Sequence, residues 1–318
     1  MHVQNPSSHM MGTVSRVLPG QYQVHTGQRM LTCTRLNVRE KQSKKAVKQQ
    51  AHELVVGDQV CLLETQPGIG QIVEVHPRRS QLVRRAVASR RGAATGAQVI
   101  AANVDQVVFV LAAANPEPHW NLLDRYLVSA HSTDLPALVC ITKMDLVQGT
   151  GLERGLNAAL DEYRRIGYSV VCTSSRDGYG VDDLQALLVG RTSVLFGSSG
   201  VGKTSLLNAL SPGLGERVNA VNPVTGDGRH TTTTAQIFPL AWGMIVDTPG
   251  IREFGLWDLD ADSLDEYFPE MQPYLGRCRF RANCSHTDEP GCAVRQAVAE
   301  GHISPRRFNS YLRLREDG

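Results

Sequence analysis

One eight-residue segment constrains the fold of this chain more than any other feature. It reads GSSGVGKT, fits the pattern G-x-x-x-x-G-K-[ST] at every position, and lies between a strand pattern and a helical pattern. That setting is the one a phosphate-binding loop requires. Its residues are Gly197, Ser198, Ser199, Gly200, Val201, Gly202, Lys203 and Thr204, with Ser205 following. Glycines let backbone N–H groups surround phosphate oxygens, Lys203 reaches the β- and γ-phosphates, and the Thr204 hydroxyl is a predicted Mg²⁺ ligand.

A second motif, Asp-Thr-Pro-Gly, follows a hydrophobic strand pattern farther along the chain. In this D-x-x-G arrangement we expect Asp247 to hold Mg²⁺ through a water molecule and Gly250 to place an amide near the γ-phosphate. Buried strand patterns alternate with helical patterns between residues 99 and 250, which is typical of a parallel α/β sheet. The two motifs therefore predict an α/β domain that binds a nucleoside triphosphate.

A third motif indicates the base. The sequence TKMD ends another strand pattern and resembles the [NT]-K-x-D signature of GTPases, in which the Asp accepts the N1 and N2 protons of guanine. The sequence TSS follows the next strand pattern, where GTPases place the loop whose amide contacts guanine O6. The base-reading residues are Thr142, Lys143, Met144, Asp145, Thr173, Ser174 and Ser175. Thr142 stands where Asn is commoner, and we expect this change to remove an amide that braces the phosphate loop.

The order of these motifs is unusual. GTPases normally run from the phosphate loop through D-x-x-G to N-K-x-D, whereas here the base-reading motifs precede the phosphate loop. The same sheet can form if the old termini are joined and the chain is opened elsewhere, which is a circular permutation. The D-x-x-G motif then leads directly into the C-terminal segment, so the state of the γ-phosphate can act on whatever follows.

Four potential metal ligands lie in one short segment near the C-terminus. They are Cys278, Cys284, His286 and Cys292. Three thiols and one imidazole form a complete tetrahedral set for Zn²⁺, so we expect one structural zinc ion with no position open for substrate. The remaining cysteines lie in apolar strand patterns and are expected to be reduced core thiols. These are Cys33, Cys61, Cys140 and Cys172.

The first part of the chain predicts a small barrel. Five short strand patterns with Pro- or Gly-containing turns lie between residues 13 and 76, and the oligonucleotide-binding (OB) type is the leading candidate. We therefore divide the chain into five parts. They are a flexible lead-in (1–10), an OB-fold barrel (11–76), a basic linker (77–98), a circularly permuted GTPase domain (99–252) and a mostly helical zinc-binding domain (253–318).

Arginines cluster beside the barrel and around the zinc segment, although the formal net charge is only +2. The first group is Arg78, Arg79, Arg84, Arg85, Arg90 and Arg91, in a stretch without acidic residues. The second is Arg277, Arg279, Arg281, Arg306, Arg307, Arg313 and Arg315. Beside a nucleic-acid type of barrel the first group indicates phosphate contacts, and the second suggests RNA or protein docking. A solvated charged surface stays the alternative for any single arginine.

Two absences complete the prediction. No apolar run approaches the roughly 18 residues that a membrane helix needs, and the N-terminus lacks a charged segment followed by an apolar one. We therefore expect a cytoplasmic protein.

Taken together, the chain resembles the circularly permuted GTPases of the ribosome-small-subunit-dependent GTPase A family (RsgA, YjeQ or EngC). The segments that carry the resemblance are IAANVDQVVFV (100–110), NLLDRYLVSA (121–130), GSSGVGKTSLLNAL (197–210), GRHTTTT (228–234), DTPGIREFGLW (247–257) and CRFRANCSHTDEPGC (278–292). The resemblance implies an N-terminal OB barrel, a permuted GTPase domain and a C-terminal zinc domain. It also implies a monomer that binds the 30S ribosomal subunit and its 16S rRNA late in maturation and hydrolyses GTP faster when bound.

The resemblance further implies roles in the segment GRHTTTT. Thr232 is the expected switch residue that binds Mg²⁺ with GTP, with Thr231 and Thr233 as rivals. Many GTPases keep a water-orienting Gln after D-x-x-G, but here the residue is Ile251, so His230 is the candidate for that task. A local structural role for His230 stays open. Two other functions also stay open: an RNA-binding protein that binds GTP with negligible turnover, and a P-loop ATPase or kinase.

Overall fold

A computed structural model describes residues 9–35, 53–85, 97–221, 235–248 and 263–317 of the chain. They pack as two units: the first takes its residues from 1–105, 188–194 and 218–251, and the second from 106–187, 195–217 and 252–318. None of the helices in the described part of the chain has the length and apolar character needed to cross a membrane.

Five strands of the first unit close into a barrel. They are β1 (Met10–Leu18), β2 (Gln21–His25), β3 (Met30–Arg35), β4 (Gln59–Gln66) and β5 (Ile69–Val75). The neighbours run in the order β1-β2-β3-β5-β4 and back to β1, with only the β3–β5 pair parallel. Val14, Val24, Leu31, Leu62 and Ile72 fill the interior and are almost fully buried. This confirms the predicted OB-like barrel.

The rest of the first unit contains further strands. Some of them were predicted from the sequence, and others were not. β6 (Gln81–Arg85) pairs with β7 (Ala97–Ala102), so a strand lies in the stretch expected to be a linker. β12 (Gln236–Leu240) was also missed and pairs with β13 (Gly243–Asp247) and, through Gln236, with β1. β13 runs parallel to β11 (Thr192–Phe196), as expected of an α/β sheet.

Two arginines of the linker stretch have acidic partners inside this unit. Arg78 Nε lies 2.7 Å from Oδ1 of Asp58, whose side chain is fully buried. Arg79 Nη2 lies 3.2 Å from Asp105 Oδ1 at a more exposed position. The absence of acidic residues from this stretch therefore does not leave all six of its arginines unopposed, because these two pair with Asp58 and Asp105.

The second unit contains a parallel sheet and the helices that follow its strands. The strands are β8 (Gln106–Ala112), β9 (Ala137–Thr142) and β10 (Ser169–Cys172). The helices are α1 (Trp120–Ser132), α2 (Gly151–Ile166), α3 (Val181–Leu188), α4 (Lys203–Leu210) and α5 (Leu214–Val221). Leu188 at the end of α3 and residues 218–221 of α5 belong to the first unit. β8 and β9 are apolar along almost their whole length because parallel strands are covered by helices on both faces.

The C-terminal part of this unit is helical where it is described. It has three short 3₁₀ turns, Leu264–Tyr267, Gln272–Tyr274 and Arg281–Asn283, and two helices, α6 (Ala293–Ala299) and α7 (Pro305–Asp317). α7 begins at Pro305, because proline suits the first turn of a helix. Phe268, Met271 and Tyr311 form a core together with the buried cysteines of the segment 278–292.

Candidate nucleotide and zinc sites

The phosphate loop joins β11 to α4, and its glycines are required by its shape. A Cβ atom on Gly197 would lie 2.4 Å from the carbonyl oxygen of Val110, and Gly200 and Gly202 have φ of +80° and +92°. Lys203 Nζ donates to the carbonyl oxygens of Gly197 at 2.6 Å and Ser198 at 2.7 Å, so the ammonium group lies across the loop. Loop amides and the start of α4 therefore offer positive partial charges to a phosphate group.

Thr142 joins the base-reading segment to this loop. Its hydroxyl group contacts the carbonyl oxygen of Val201 and lies 3.2 Å from that of Leu111. Thr142 is 1% exposed, so water cannot replace these contacts. The amide is absent, as expected, but the Thr142 hydroxyl group contacts the loop in its place.

The two base-reading loops are joined to each other. The Met144 N–H donates to the Thr173 carbonyl at 3.1 Å, and the Ser174 hydroxyl donates to Asp145 Oδ1 at 2.9 Å. Arg176 Nη1 lies 3.9 Å from Asp145 Oδ2, too far for a hydrogen bond. One carboxylate oxygen is thus fixed by Ser174, and the other is available for a hydrogen-bond donor. Arg176 was missed by sequence reasoning; its only signal is a basic residue directly after the TSS segment.

Thr204 and Ser205 are exposed at the start of α4, next to the loop. Asp247 is the last residue of β13 and belongs to the first unit. The other predicted residues of the hydrolytic site, His230, Thr232 and Gly250, lie outside the described residues, as do Thr231 and Thr233.

The predicted zinc ligands meet in one buried cluster. One ligand atom from each of Cys278, Cys284, His286 and Cys292 lies within 4.8 Å of all the others. Cys278 Sγ and Cys292 Sγ are 3.8 Å apart, and His286 Nδ1 lies 3.5 and 3.3 Å from them. Zn–S bonds of about 2.3 Å in a tetrahedron place sulfur atoms about 3.8 Å apart, so the donor set fits zinc.

Backbone amides support the thiolate form of the cluster. The N–H of Ala293 donates to Cys278 Sγ at 3.3 Å, and that of Arg295 donates to Cys292 Sγ at 3.5 Å. Burial alone would raise the pKa of Cys278, but hydrogen bonds from the amides of Ala293 and Val294 and from the side chains of Cys284 and Cys292 together outweigh it and lower that pKa. In the parts of the chain that the structure describes, this is the one group of His, Cys, Asp and Glu side chains arranged to hold a metal ion.

The four other cysteines are free thiols, but they are not equally buried. Cys33 and Cys140 lie in the barrel core and the parallel sheet, as predicted, whereas Cys61 and Cys172 are only half-buried. Their prediction as core thiols is therefore wrong in degree.

The arginines near the zinc cluster divide into two groups. Arg307 is fully buried and pairs with Asp124 and Glu270, so its predicted docking role is wrong. Arg306 is 28% exposed and pairs with Asp124 and Glu162. Arg277, Arg279 and Arg281 are exposed. The Arg279 guanidinium lies 5.9 Å from the ring centroid of Phe280, which is 46% exposed.

Comparison with known proteins gives a consistent result. The family model described as RsgA GTPase matches residues 75–257. The chain is 46% identical over 262 residues to the small ribosomal subunit biogenesis GTPase RsgA of Pseudomonas aeruginosa, covering 82% of this chain and 75% of that protein. It is 44% identical over 278 residues to the protein of the same name from Gemmatimonas aurantiaca, covering 85% of this chain and 87% of that protein.

Two solved structures are similar along the whole chain. The crystal structure of YloQ, described as a circularly permuted GTPase, has a TM-score of 0.74 at 27% identity and covers 100% of this chain and 97% of that one. YjeQ from Thermotoga maritima has a TM-score of 0.76 at 29% identity, with 98% of each chain covered. The predicted fold class, a permuted GTPase with an N-terminal barrel, is confirmed by these two similarities.

Proposed function

The chain belongs to the RsgA GTPase family, and from that premise we propose that it hydrolyses GTP while bound to the small ribosomal subunit and acts in the late maturation of that subunit. The relatives' names contain both the activity and the subunit. One structural observation supports guanine chemistry: Asp145, held by Ser174, lies in the same unit as a phosphate loop braced by Thr142.

Nucleotide binding divides between two groups of residues. The loop 197–204 binds the phosphates through its amides and Lys203, while Asp145 accepts the N1 and N2 protons of guanine. Mg²⁺ bound with the nucleotide neutralises charge on the phosphates, and Thr204, Thr232 and Asp247 are the residues proposed to hold it. Adenine lacks the paired donors, so ATP is a poor ligand.

Hydrolysis requires a water molecule in line with the γ-phosphate. Ile251 can neither accept nor donate a hydrogen bond from its side chain, so we assign the orienting role to His230. Phosphoryl transfer depends mainly on positioning and charge stabilisation. We therefore expect slow hydrolysis by the chain alone and a higher rate when the subunit acts on residues 220–235.

An RNA partner accounts for exposed groups on both ends of the chain. OB barrels bind oligonucleotides, and exposed Phe280 with Arg279 over its ring is suited to stacking on an unpaired base. Arg277 and Arg281 add positive charge on either side, which favours phosphate contact. We propose that these surfaces contact 16S rRNA.

We further propose that the chain acts as a monomer in the cytoplasm. One zinc ion stabilises its C-terminal domain.

The decisive experiment is steady-state hydrolysis of GTP and ATP, with and without purified 30S subunits. We expect hydrolysis of GTP only, with a rate that rises many-fold when subunits are added. GTP binding without turnover under either condition would instead favour the alternative of an RNA-associated GTP-binding protein. Equal rates with and without subunits would contradict the subunit as the activating partner.

A matched variant tests the water-orienting role. His230→Ala should lower the subunit-stimulated kcat for GTP while leaving the affinity for GDP unchanged. His119→Ala, which changes a histidine elsewhere in the GTPase domain, is the control. A stimulated rate in His230→Ala equal to that of the unmodified chain would show that another group orients the water.

A further inference from the structure

The two ring nitrogens of His286 face different partners. Nδ1 lies 3.5 Å from Cys278 Sγ and 3.3 Å from Cys292 Sγ, whereas Nε2 lies 3.0 Å from Asp265 Oδ2. We infer that Asp265 is a positioning residue of the metal site: its carboxylate keeps a proton on Nε2, so that Nδ1 is the atom that binds zinc. This inference rests on the zinc site proposed above.

The contact between Asp265 and His286 determines which ring nitrogen of the histidine is free to bind zinc. An ionised carboxylate can only accept hydrogen bonds, so Nε2 must donate its proton to Asp265. A neutral imidazole carries one proton, which leaves the lone pair on Nδ1, the atom that faces the sulfur ligands. Carboxylates in this position fix the tautomer and the ring orientation of a ligating histidine and make it a stronger donor.

The surroundings of the ring explain why it needs such support. His286 has φ of +60°, in the left-handed region, which costs free energy for a residue other than glycine. The ring of Tyr311 lies 6.3 Å from the His286 ring, and the Tyr311 hydroxyl donates to the Ser285 carbonyl at 2.8 Å. Tyr311 and Asp265 therefore hold the imidazole in place while the backbone keeps its strained conformation.

Asp265 is itself held in place by the core of the C-terminal domain. It lies on the 3₁₀ turn Leu264–Tyr267, and Leu264 and Phe268 on either side of it are buried in the same core as the cysteines. Its side chain is 18% exposed, and that of His286 is 2% exposed, so water competes weakly for the contact. The turn thus fixes the distance between the carboxylate and the ring.

Zinc affinity of the full chain provides the first test. Competition against a chromogenic chelator should show zinc bound about 10- to 100-fold more weakly by Asp265→Ala than by the unmodified chain. Asp265→Asn should lose less, because its amide oxygen still accepts the Nε2 proton without a charge. Glu266→Ala changes the exposed neighbour on the same turn and should bind zinc normally. GDP binding by each variant, measured on the same samples, reports that the nucleotide-binding unit is folded.

A second measurement reads the tautomer directly. In the zinc-loaded chain with ¹⁵N-labelled histidine, a long-range ¹H–¹⁵N spectrum should show a proton on His286 Nε2 and metal coordination at Nδ1. Coordination at Nε2, or unchanged zinc affinity in Asp265→Ala, would overturn the role of Asp265 but leave the zinc site standing. A purified chain that fails to bind one zinc ion would overturn the zinc site and, with it, this inference.

Discussion

Arg307 Nη1 donates to Asp124 Oδ1 at 2.7 Å, and neither side chain is accessible to solvent. This contact joins the C-terminal helix α7 to α1 of the GTPase region inside the second unit. Arg307 also binds both carboxylate oxygens of Glu270 and lies 4.7 Å from the Phe268 ring centroid. Asp124 receives further hydrogen bonds from Tyr163 and Ser310. Burial alone would lower the pKa of Arg307, but the carboxylates of Asp124 and Glu270 outweigh it and raise that pKa, so the guanidinium stays charged.

Removing one member of this network should be costly. Arg307→Ala removes the guanidinium that pairs with buried Asp124 and Glu270, and breaking a buried ion pair in this way costs about 3–5 kcal/mol of unfolding free energy. Urea denaturation of the zinc-saturated chain measures the change. Arg313→Ala, at an exposed position on the same helix, should stay within about 0.5 kcal/mol of the unmodified chain. Equal losses in the two variants would show that the buried pair adds no stability.

The same residues show how far sequence reasoning could reach. The phosphate loop, the TKMD segment and the zinc ligands depend on short spacings, so the sequence alone predicts their positions. Arg306 and Arg307 were instead predicted to dock RNA or protein, because their partner Asp124 lies 183 residues from Arg307 and no local pattern links them. Long-range ion pairs of this kind are visible only once the helices are packed.

The missed strands have a similar cause. β12 contains Pro239, which weakens a strand pattern, and it pairs with β13 and with distant β1. β6 lies in an arginine-rich stretch, and its partner β7 follows a gap of several residues.

The roles of His230, Thr232 and Gly250 stay predictions, since the structure does not describe these residues.

Thr142 provides a test of the brace under the phosphate loop. Thr142→Ala removes the hydroxyl that contacts the Val201 carbonyl, and a lost buried hydrogen bond costs about 1–1.5 kcal/mol. The Kd for GDP should therefore rise about five- to tenfold, measured with a fluorescent nucleotide. Thr142→Ser keeps the hydroxyl and should bind GDP nearly as well as the unmodified chain. Normal affinity in the alanine variant would mean that the loop keeps its shape without this contact.

Substitution of Asp145 tests whether this residue selects guanine over other bases. Asp145→Asn replaces one acceptor with an amide donor, so it should lose at least about tenfold in GTP affinity because charge-assisted hydrogen bonds are lost. Xanthosine triphosphate carries a carbonyl where guanine carries the N2 amino group, and it should bind this variant better than GTP does. Asp182→Asn, an exposed change at the start of α3, is the control. Retained preference for GTP in Asp145→Asn would place base recognition elsewhere.

The buried thiols should resist alkylation until the pH is high. Burial raises the pKa of Cys33 to about 11 and that of Cys140 to about 12, so both are neutral thiols below these values. Because the thiolate is the reactive form, only about 0.1% of Cys33 is reactive at pH 8, and this fraction rises about tenfold per pH unit up to its pKa. Mass spectrometry after labelling the zinc-loaded chain at pH 8 should therefore show slow reaction at these two sites and faster reaction at half-buried Cys61.

Zinc chelation and denaturation distinguish cysteines that the metal protects from alkylation from cysteines that burial in the fold protects. Removing zinc at pH 8 should expose Cys278, Cys284 and Cys292 to labelling while Cys33 and Cys140 stay protected, because neither the barrel strands nor the parallel strands contribute a ligand to the metal cluster. In denaturant all seven cysteines should react. Rapid labelling of Cys33 in the zinc-loaded chain would contradict its place in the barrel core, whereas loss of its protection on chelation would show that the barrel depends on the zinc domain for stability.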